Sequence, residues 1–197
     1  MKFELEKKAK ISLLLKGLVL FIGFIIFLWL IAGAAGSYSG FFYVYSDDDG
    51  YYVDEYWVGW KGYQSDQDDP RSYSDIETFK DMRSGGSAAG ALIIIAIPTS
   101  LLVEFALGVS LVCTFKQKKK FARYANIIAV ACTAAVLLLD VVALVVMIGV
   151  FSSKVANDEL DEYYWNPDWA FILQFINCVL WGPAVLVLLG IASAYDK

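Results

Sequence analysis

Two carboxyl side chains, Glu104 and Asp140, lie inside long hydrophobic runs of this 197-residue chain. A charge at the membrane centre costs at least about 2.5–3.5 kcal/mol, so both groups should face a helix-bundle interior or be protonated. Asp140 is predicted to hydrogen-bond Asn177 or Gln174. Glu104, Asp140, Gln174 and Asn177 are therefore predicted to form an intramembrane polar clasp between helices.

The same carboxyls admit a second interpretation, an ion or proton pathway through Glu104 and Asp140. Ser100 or Asn126 could reach Glu104 and satisfy it within the bundle. The sequence has no histidine, and no intramembrane Lys or Arg is identified that would complete a proton relay. A structural clasp is therefore the favoured interpretation, and the pathway stays an alternative.

Other chemistry is scarce in this sequence. The acidic segments 47–49 and 66–69 are rich in oxygen ligands, but their spacing matches no calcium-loop pattern. The three cysteines all fall in hydrophobic runs, and no nucleophile–base pair, phosphate loop, metal cluster or haem ligand set is evident. We expect no enzyme activity, no cofactor and no metal. Nucleic-acid binding is excluded because the chain carries a net charge of −5 and its basic residues flank hydrophobic runs.

The loop between residues 37 and 83 combines acidic and aromatic residues. Its segment 51–60 clusters aromatic and β-branched residues, as half-buried strands do. Polar turns flank this segment, and residues 74–77 read as a capping box that opens a short helix ending near Met82. We therefore predict a folded outer domain. Its exposed aromatics are candidate contact anchors, namely Tyr52, Tyr56, Trp57, Trp60, Tyr63, Tyr164 and Trp165. At least one of Trp57 and Trp60 is expected to pack in the core of the sheet instead.

Four hydrophobic runs are long enough to cross a bilayer, which needs about 20 apolar residues each. The predicted spans are 11–35, 88–115, 121–151 and 169–194, and the connecting segments are an outer loop 36–87, a turn 116–120 and an outer loop 152–168. The sequence therefore predicts one polytopic domain over residues 1–197.

Charge is segregated between the connecting segments. Residues 1–16 carry a net charge of +3 and residues 116–123 carry +5, whereas residues 35–84 carry −7 and residues 152–168 carry −4. Short basic loops remain in the cytoplasm. Both termini are therefore predicted to be cytoplasmic, with the two acidic loops on the other side of the membrane. The plasma membrane is the predicted location, and another endomembrane is the alternative.

The arrangement resembles the claudin and peripheral-myelin-protein superfamily, in which four spans carry a long first and a short second outer loop. Gly59-Trp60 is similar to the end of that family's Gly-Leu-Trp motif. The resemblance would place Tyr63 and Tyr73 where the family has a cysteine pair, so the chain departs from the pattern there. Arg83 matches the arginine at the boundary between an extracellular helix and span two. Residues 164–167 are similar to the family's aromatic-Asn-Pro segment, and amastins share the same plan.

This resemblance implies an α-helical membrane protein, a four-helix transmembrane bundle with a small extracellular antiparallel β-sheet and a short extracellular helix. It also implies a non-catalytic role in cell adhesion, at a cell junction or in membrane organisation. The alternative role is that of an accessory subunit of a channel, transporter or receptor. The expected partners are membrane lipids and other membrane proteins in the same or a neighbouring membrane, including a second copy of the chain.

Overall fold

The computed structural model describes residues 7–36, 40–46, 55–65, 71–72, 82–156 and 163–195, most of which are helical. The helices are α1 (Lys7–Ala35), α2 (Met82–Phe115), α3 (Lys119–Ala156), α4 (Trp169–Ile176) and α5 (Gly182–Tyr195), with a π-helical turn (Asn177–Trp181) between α4 and α5. Four of the resulting helical segments are long and apolar enough to cross a bilayer. The chain is therefore a multi-pass membrane protein, with four spans in the part that the structure describes.

The helices extend beyond the hydrophobic runs that predict them. Helix α1 begins at Lys7, α2 begins at Met82, and α3 covers Lys119–Ala156. The turn predicted at 116–120 is correspondingly reduced to residues 116–118. Lysine and arginine are good helix formers, and their long side chains place the charge beyond the apolar zone. Hydrophobicity thus limits the buried length of a helix, whereas its hydrogen-bonded length can be greater.

The turn between α2 and α3 is closed by paired backbone hydrogen bonds. The amide nitrogen of Lys118 donates to the carbonyl oxygen of Cys113 at 2.8 Å, and that of Gln117 donates to Thr114 at 3.0 Å. Gln117 has a φ of 54°. These features define a Schellman motif, in which a left-handed residue satisfies the last carbonyls of a helix.

The fourth span is not a regular α-helix. Its π-helical turn precedes Pro183, the second residue of α5. Proline lacks an amide hydrogen and therefore cannot donate the hydrogen bond that a regular helix needs at this position. A π turn also inserts an extra residue into the helical repeat, which changes the face on which later side chains lie. By contrast, α2 continues through Pro98.

Within the described residues, five strands form one antiparallel sheet in the order β4-β3-β2-β1-β5. They are β1 (Phe42–Ser46), β2 (Glu55–Val58), β3 (Gly62–Ser65), β4 (Arg71–Ser72) and β5 (Tyr163–Pro167). The first four strands come from the segment between α1 and α2. The fifth comes from the segment between α3 and α4, and it pairs with β1 along its whole length.

The chain divides into two compact units. The first unit contains Met1–Leu28, Ala96–Leu138 and Asn177–Lys197, and the second contains Trp29–Ile95 and Leu139–Ile176. All four spans contribute residues to both units. The assignment of the whole chain to one tetraspan domain therefore stays a prediction.

The core of the second unit joins the sheet to the helices. Its buried members are Phe41, Phe42, Val58, Ala89, Ile93, Ala143, Met147 and Ala170. Glycine on α2 permits close packing here, because a Cβ atom at Gly85 would overlap the side chain of Val150. The small residues at this end of span two thus allow close helix approach.

The start of α4 is fixed to the first strand segment. The amide nitrogen of Trp169 donates to Asp168 Oδ1 at 2.7 Å, and that of Ala170 donates to the carbonyl oxygen of Gly40 at 2.7 Å. The amide nitrogen of Asp168 donates to Phe41 at 2.9 Å. These bonds satisfy donors that every helix N-terminus leaves without an intrahelical acceptor.

The first unit buries many polar side chains, as membrane helix interfaces do. They are Ser12, Lys16, Ser100, Ser110, Thr114, Asn126, Thr133 and Asn177. Several bond to backbone: Ser110 Oγ donates to the carbonyl of Ala122 at 3.0 Å, and Asn126 Nδ2 donates to that of Leu189 at 3.3 Å. Large apolar side chains such as Phe21 and Phe105 are exposed instead, as lipid-facing residues are.

Candidate functional site

A cavity of about 20 Å³ lies inside the first unit. Residues from α1, α2, α3, the π turn and α5 line it, namely Gly23, Ile26, Ser100, Val103, Glu104, Thr133, Val136, Leu137, Asn177, Gly182 and Val185. Most of this wall is apolar. A carboxyl, two hydroxyls and one amide stand against the apolar wall, and Glu104 is the charged group among these lining residues.

The Glu104 carboxyl rests on the backbone of α1 at Gly23. A Cβ atom at Gly23 would overlap Glu104 Oε1 and lie 3.2 Å from the carboxyl carbon. The absence of a side chain at Gly23 therefore leaves the space that the Glu104 carboxyl occupies. Glu104 Oε1 is buried and has no hydrogen-bond partner among the described residues. A buried oxygen in this condition is costly, by about 1–3 kcal/mol for a neutral group and more for a charged one.

The other polar lining groups supply neutral oxygen atoms. Ser100 lies one helical turn before Glu104 on the same face of α2 and is buried. Thr133 Oγ1 donates its proton to the carbonyl oxygen of Ala129 at 2.8 Å, which leaves its lone pairs available to the cavity. Asn177 is the first residue of the π turn, a helix distortion that is frequent at functional sites.

Of the two partners predicted for Asp140, one is excluded. The side-chain oxygen and nitrogen of Gln174 are buried without a hydrogen-bond partner in the described part of the chain, so Gln174 does not bond Asp140. Gln174 lies in the regular helix α4, before the π turn that begins at Asn177. Asp140 is itself fully buried. Asp140 and Asn177 belong to different units, and their hydrogen bond stays a prediction.

The expected partner of Glu104 is also corrected. Ser100 or Asn126 was expected to reach the carboxyl. Ser100 lines the cavity with Glu104. The side-chain nitrogen of Asn126 instead donates to the carbonyl oxygen of Leu189 on α5, and Glu104 Oε1 accepts no bond from the residues described. The cavity does bring Glu104 and Asn177 together as lining residues. Half of the predicted polar set thus meets at one place.

Lys16 is a buried cation that was not among the predicted site residues. It was counted with the basic N-terminal segment, but α1 begins at Lys7 and the Lys16 side chain is fully buried. Its Nζ atom donates to Thr114 Oγ1 at 2.7 Å. Lys16 is therefore a buried cation within the predicted span 11–35. The signal was present, since Lys16 interrupts an apolar run that starts at residue 11.

Trp60 anchors the sheet to the helices rather than lying free on a contact surface. Its Nε1 atom donates to the carbonyl oxygen of Ala34 at 3.2 Å. A Cβ atom at Gly90 would overlap Trp60 Cε3 and Cδ2 and lie 2.6 Å from Cζ3, so the indole rests against α2. Its assignment to the interaction surface is corrected for that reason: the ring is half-buried by packing against two helices, as the core interpretation expects.

The remaining surface candidates are placed by backbone position. Tyr52 and the predicted helix at 74–82 lie outside the described residues, apart from Met82, which begins α2. Arg83 is the exposed second residue of α2. Five further candidates occupy strands, with side chains outside the described part of the structure: Tyr56 and Trp57 in β2, Tyr63 in β3, Tyr164 and Trp165 in β5.

The cavity in the first unit is thus lined by one carboxyl, two hydroxyl groups and one amide, and its volume is close to that of one water molecule. Such a set can bind a small polar or cationic species within the span region. Across the described residues, no three Cys, Asp or Glu side chains come together as a metal cluster. No protein-family model and no curated protein matches the chain.

Proposed function

We propose that this chain is a non-enzymatic, claudin-like membrane protein that makes protein–protein contacts through an acidic, aromatic outer domain, in adhesion, at a junction or in membrane organisation. The supporting observation is the antiparallel pairing of β1 with β5. This pairing joins a strand of the first loop to a strand of the second. Both loops therefore contribute to one platform, which suits a contact domain better than two separate loops.

The proposed orientation places the termini in the cytoplasm and the sheet outside the plasma membrane. It is supported by the exposure of Lys7, Lys8 and Lys10 at the start of α1 and of the basic residues in and after the turn 116–118. Exposed lysines at the cytoplasmic face meet anionic headgroups, at about 1 kcal/mol each. The large apolar side chains exposed on the helices would contact lipid tails. Membrane lipids are thus the first proposed partners.

The proposed contact row follows from strand register. Tyr43 pairs with Trp57 and with Asn166, and Trp57 pairs with Gln64. Gln64 and Asn166 are exposed, whereas the neighbouring row begins with Phe42 and Val58, which are both buried.

Cross-strand partners share one face of a sheet, and successive residues alternate between faces. We therefore assign contact to the row of Trp57. Tyr164 pairs with Tyr45, which lies two residues after Tyr43, the partner of Trp57. It belongs to the same face by the same rule. Tyr56 and Tyr63 belong to rows of the other face.

A photo-crosslinking amino acid at Gln64 in the full-length protein on intact cells tests this proposal. We expect a discrete protein adduct, and we expect Trp57→Ala with Tyr164→Ala to remove most of it. The matched control places the crosslinker at Lys118, an exposed residue of the basic turn. Mixing cells that carry two different tags reveals whether the captured partner sits in the neighbouring membrane.

Two results would argue against contact through the sheet. An adduct at Lys118 but not at Gln64 would place the interaction at the basic turn between α2 and α3. An adduct from a crosslinker at Leu102, an exposed apolar residue of α2, without one at Gln64, would favour an accessory subunit that binds through its helices. Adducts that contain the chain itself would identify the partner as a second copy.

A further inference from the structure

We propose that the cavity beside Glu104 binds one alkali-metal cation and that the Glu104 carboxylate is its charged ligand. This site does not depend on the contact function proposed above. It follows from the charge, the oxygen ligands and the size of the cavity in the first unit.

Charge is the first argument. Glu104 Oε1 is buried and has no partner among the described residues, and Glu104 is the charged group of the cavity lining. Lys16 bonds Thr114 on α2, which lies ten residues or about 15 Å along the helix from Glu104. A carboxylate isolated within a membrane span is strongly disfavoured. A bound monovalent cation would balance its single charge.

The lining oxygens are the second argument. Thr133 Oγ1 has committed its proton to Ala129 at 2.8 Å and can therefore act only as an electron-pair donor toward the cavity. Ser100 offers a second hydroxyl oxygen, and Asn177 adds an amide. Oxygen ligands suit hard cations. Calcium takes six to eight oxygens, commonly from several carboxylates, so one carboxylate favours a singly charged ion.

The size of the cavity is the third argument. About 20 Å³ holds a single body of the size of one water molecule. An alkali-metal ion fits this volume. Gly23 sets the shape, because any side chain there would push the Glu104 carboxyl away from its place against α1.

The test uses purified full-length protein in detergent micelles at constant ionic strength. Thermal unfolding is compared in sodium, potassium and choline chloride, and ²²Na⁺ binding is measured by equilibrium dialysis. We expect a higher unfolding midpoint in sodium or potassium than in choline, because a ligand of the folded state stabilises it. Dialysis should give about one ion per chain, as the cavity volume requires.

Two variants locate the ion. Glu104→Gln should weaken ion binding by about tenfold or more, since it removes a charged ligand. Gly23→Ala should weaken binding while the carboxyl remains in the chain. Gly17→Ala, on the same helix with open space around the added methyl group, should bind as the wild type does.

Equal midpoints in all three salts, together with no ²²Na⁺ binding, would overturn the proposal even if no variant folded. The carboxyl would then be protonated beside water. Binding that survives unchanged in both Glu104→Gln and Gly23→Ala would place the ion elsewhere and would also overturn it.

Discussion

Lys16 Nζ donates a hydrogen bond to Thr114 Oγ1 at 2.7 Å and so joins α1 to the last turn of α2. Thr114 Oγ1 in turn donates to the carbonyl oxygen of Ser110 at 2.9 Å, which directs its lone pairs toward the ammonium group. The C-terminal end of a helix carries a partial negative charge. A fully buried cation is thereby stabilised at a helix end.

Thr114→Val should lower the free energy of unfolding by about 1.5–3 kcal/mol, because the buried ammonium loses a hydrogen bond. In a Lys16→Met background the same change should cost much less, since no charge is left to satisfy. A double-mutant cycle, measured by reversible unfolding in mixed micelles, gives the coupling directly. Equal costs in the two backgrounds would show that the bond carries no net stability.

Gly90→Ala should destabilise the second unit by about 1–3 kcal/mol, because the new methyl group would overlap the Trp60 indole. Gly108→Ala on the same helix meets open space, and it should raise stability by up to about 1 kcal/mol through helix propensity. The two thermal midpoints should therefore move in opposite directions. A stable Gly90→Ala protein would mean that Trp60 does not rest on α2.

Gly40→Ala combines backbone strain with overlap. Gly40 has a φ of +100°, and an added Cβ would lie 2.7–2.9 Å from atoms of the Trp169 ring. We expect a loss of about 2–4 kcal/mol in the free energy of unfolding. Limited proteolysis should also cut near α4 more readily, since the carbonyl oxygen of Gly40 accepts the hydrogen bond that the Ala170 amide donates. Asn166→Ala, an exposed change in the neighbouring strand, serves as the control and should leave both readouts unchanged.

The four spans could be predicted because a membrane helix must be apolar along its buried length. Their ends could not, because Lys7 and Arg83 continue a helix without being hydrophobic. The π turn at Asn177 could not be predicted either. Pro183 indicates that one helical hydrogen bond is missing, but it does not specify that the chain forms a π turn there.

The candidate site was predicted in part for a similar reason. Burial cost places Glu104 and Asp140 inside the protein, and both avoid full exposure. The partner of each group depends on helix rotation, which hydrophobicity alone does not specify, so the sequence could not choose between Asn177 and Gln174 as the partner of Asp140. Lys16 was overlooked because a lysine near a basic terminus resembles a topology signal. The role of Trp60 became clear only from its contacts with Ala34 and Gly90.

The left-handed residue of the α2–α3 turn is a position at which substitution by glycine should increase stability. Gln117 has a φ of 54°, a conformation that costs a residue with a side chain about 1–2 kcal/mol and costs glycine little. Gln117→Gly should therefore raise the free energy of unfolding by about 0.5–1 kcal/mol, after the greater flexibility of unfolded glycine is subtracted. Gln117→Val should lower it, because a β-branched residue is the least tolerant of this region.

Lys120→Gly is the matched control for the turn, because Lys120 is the exposed second residue of α3. Glycine within a helix is less favourable than lysine by up to about 1 kcal/mol, so this variant should lose stability in the same unfolding assay. If both glycine variants lost stability to a similar extent, residue 117 would not be in the left-handed conformation. The Schellman closure would then not be what sets the short connection between the second and third spans.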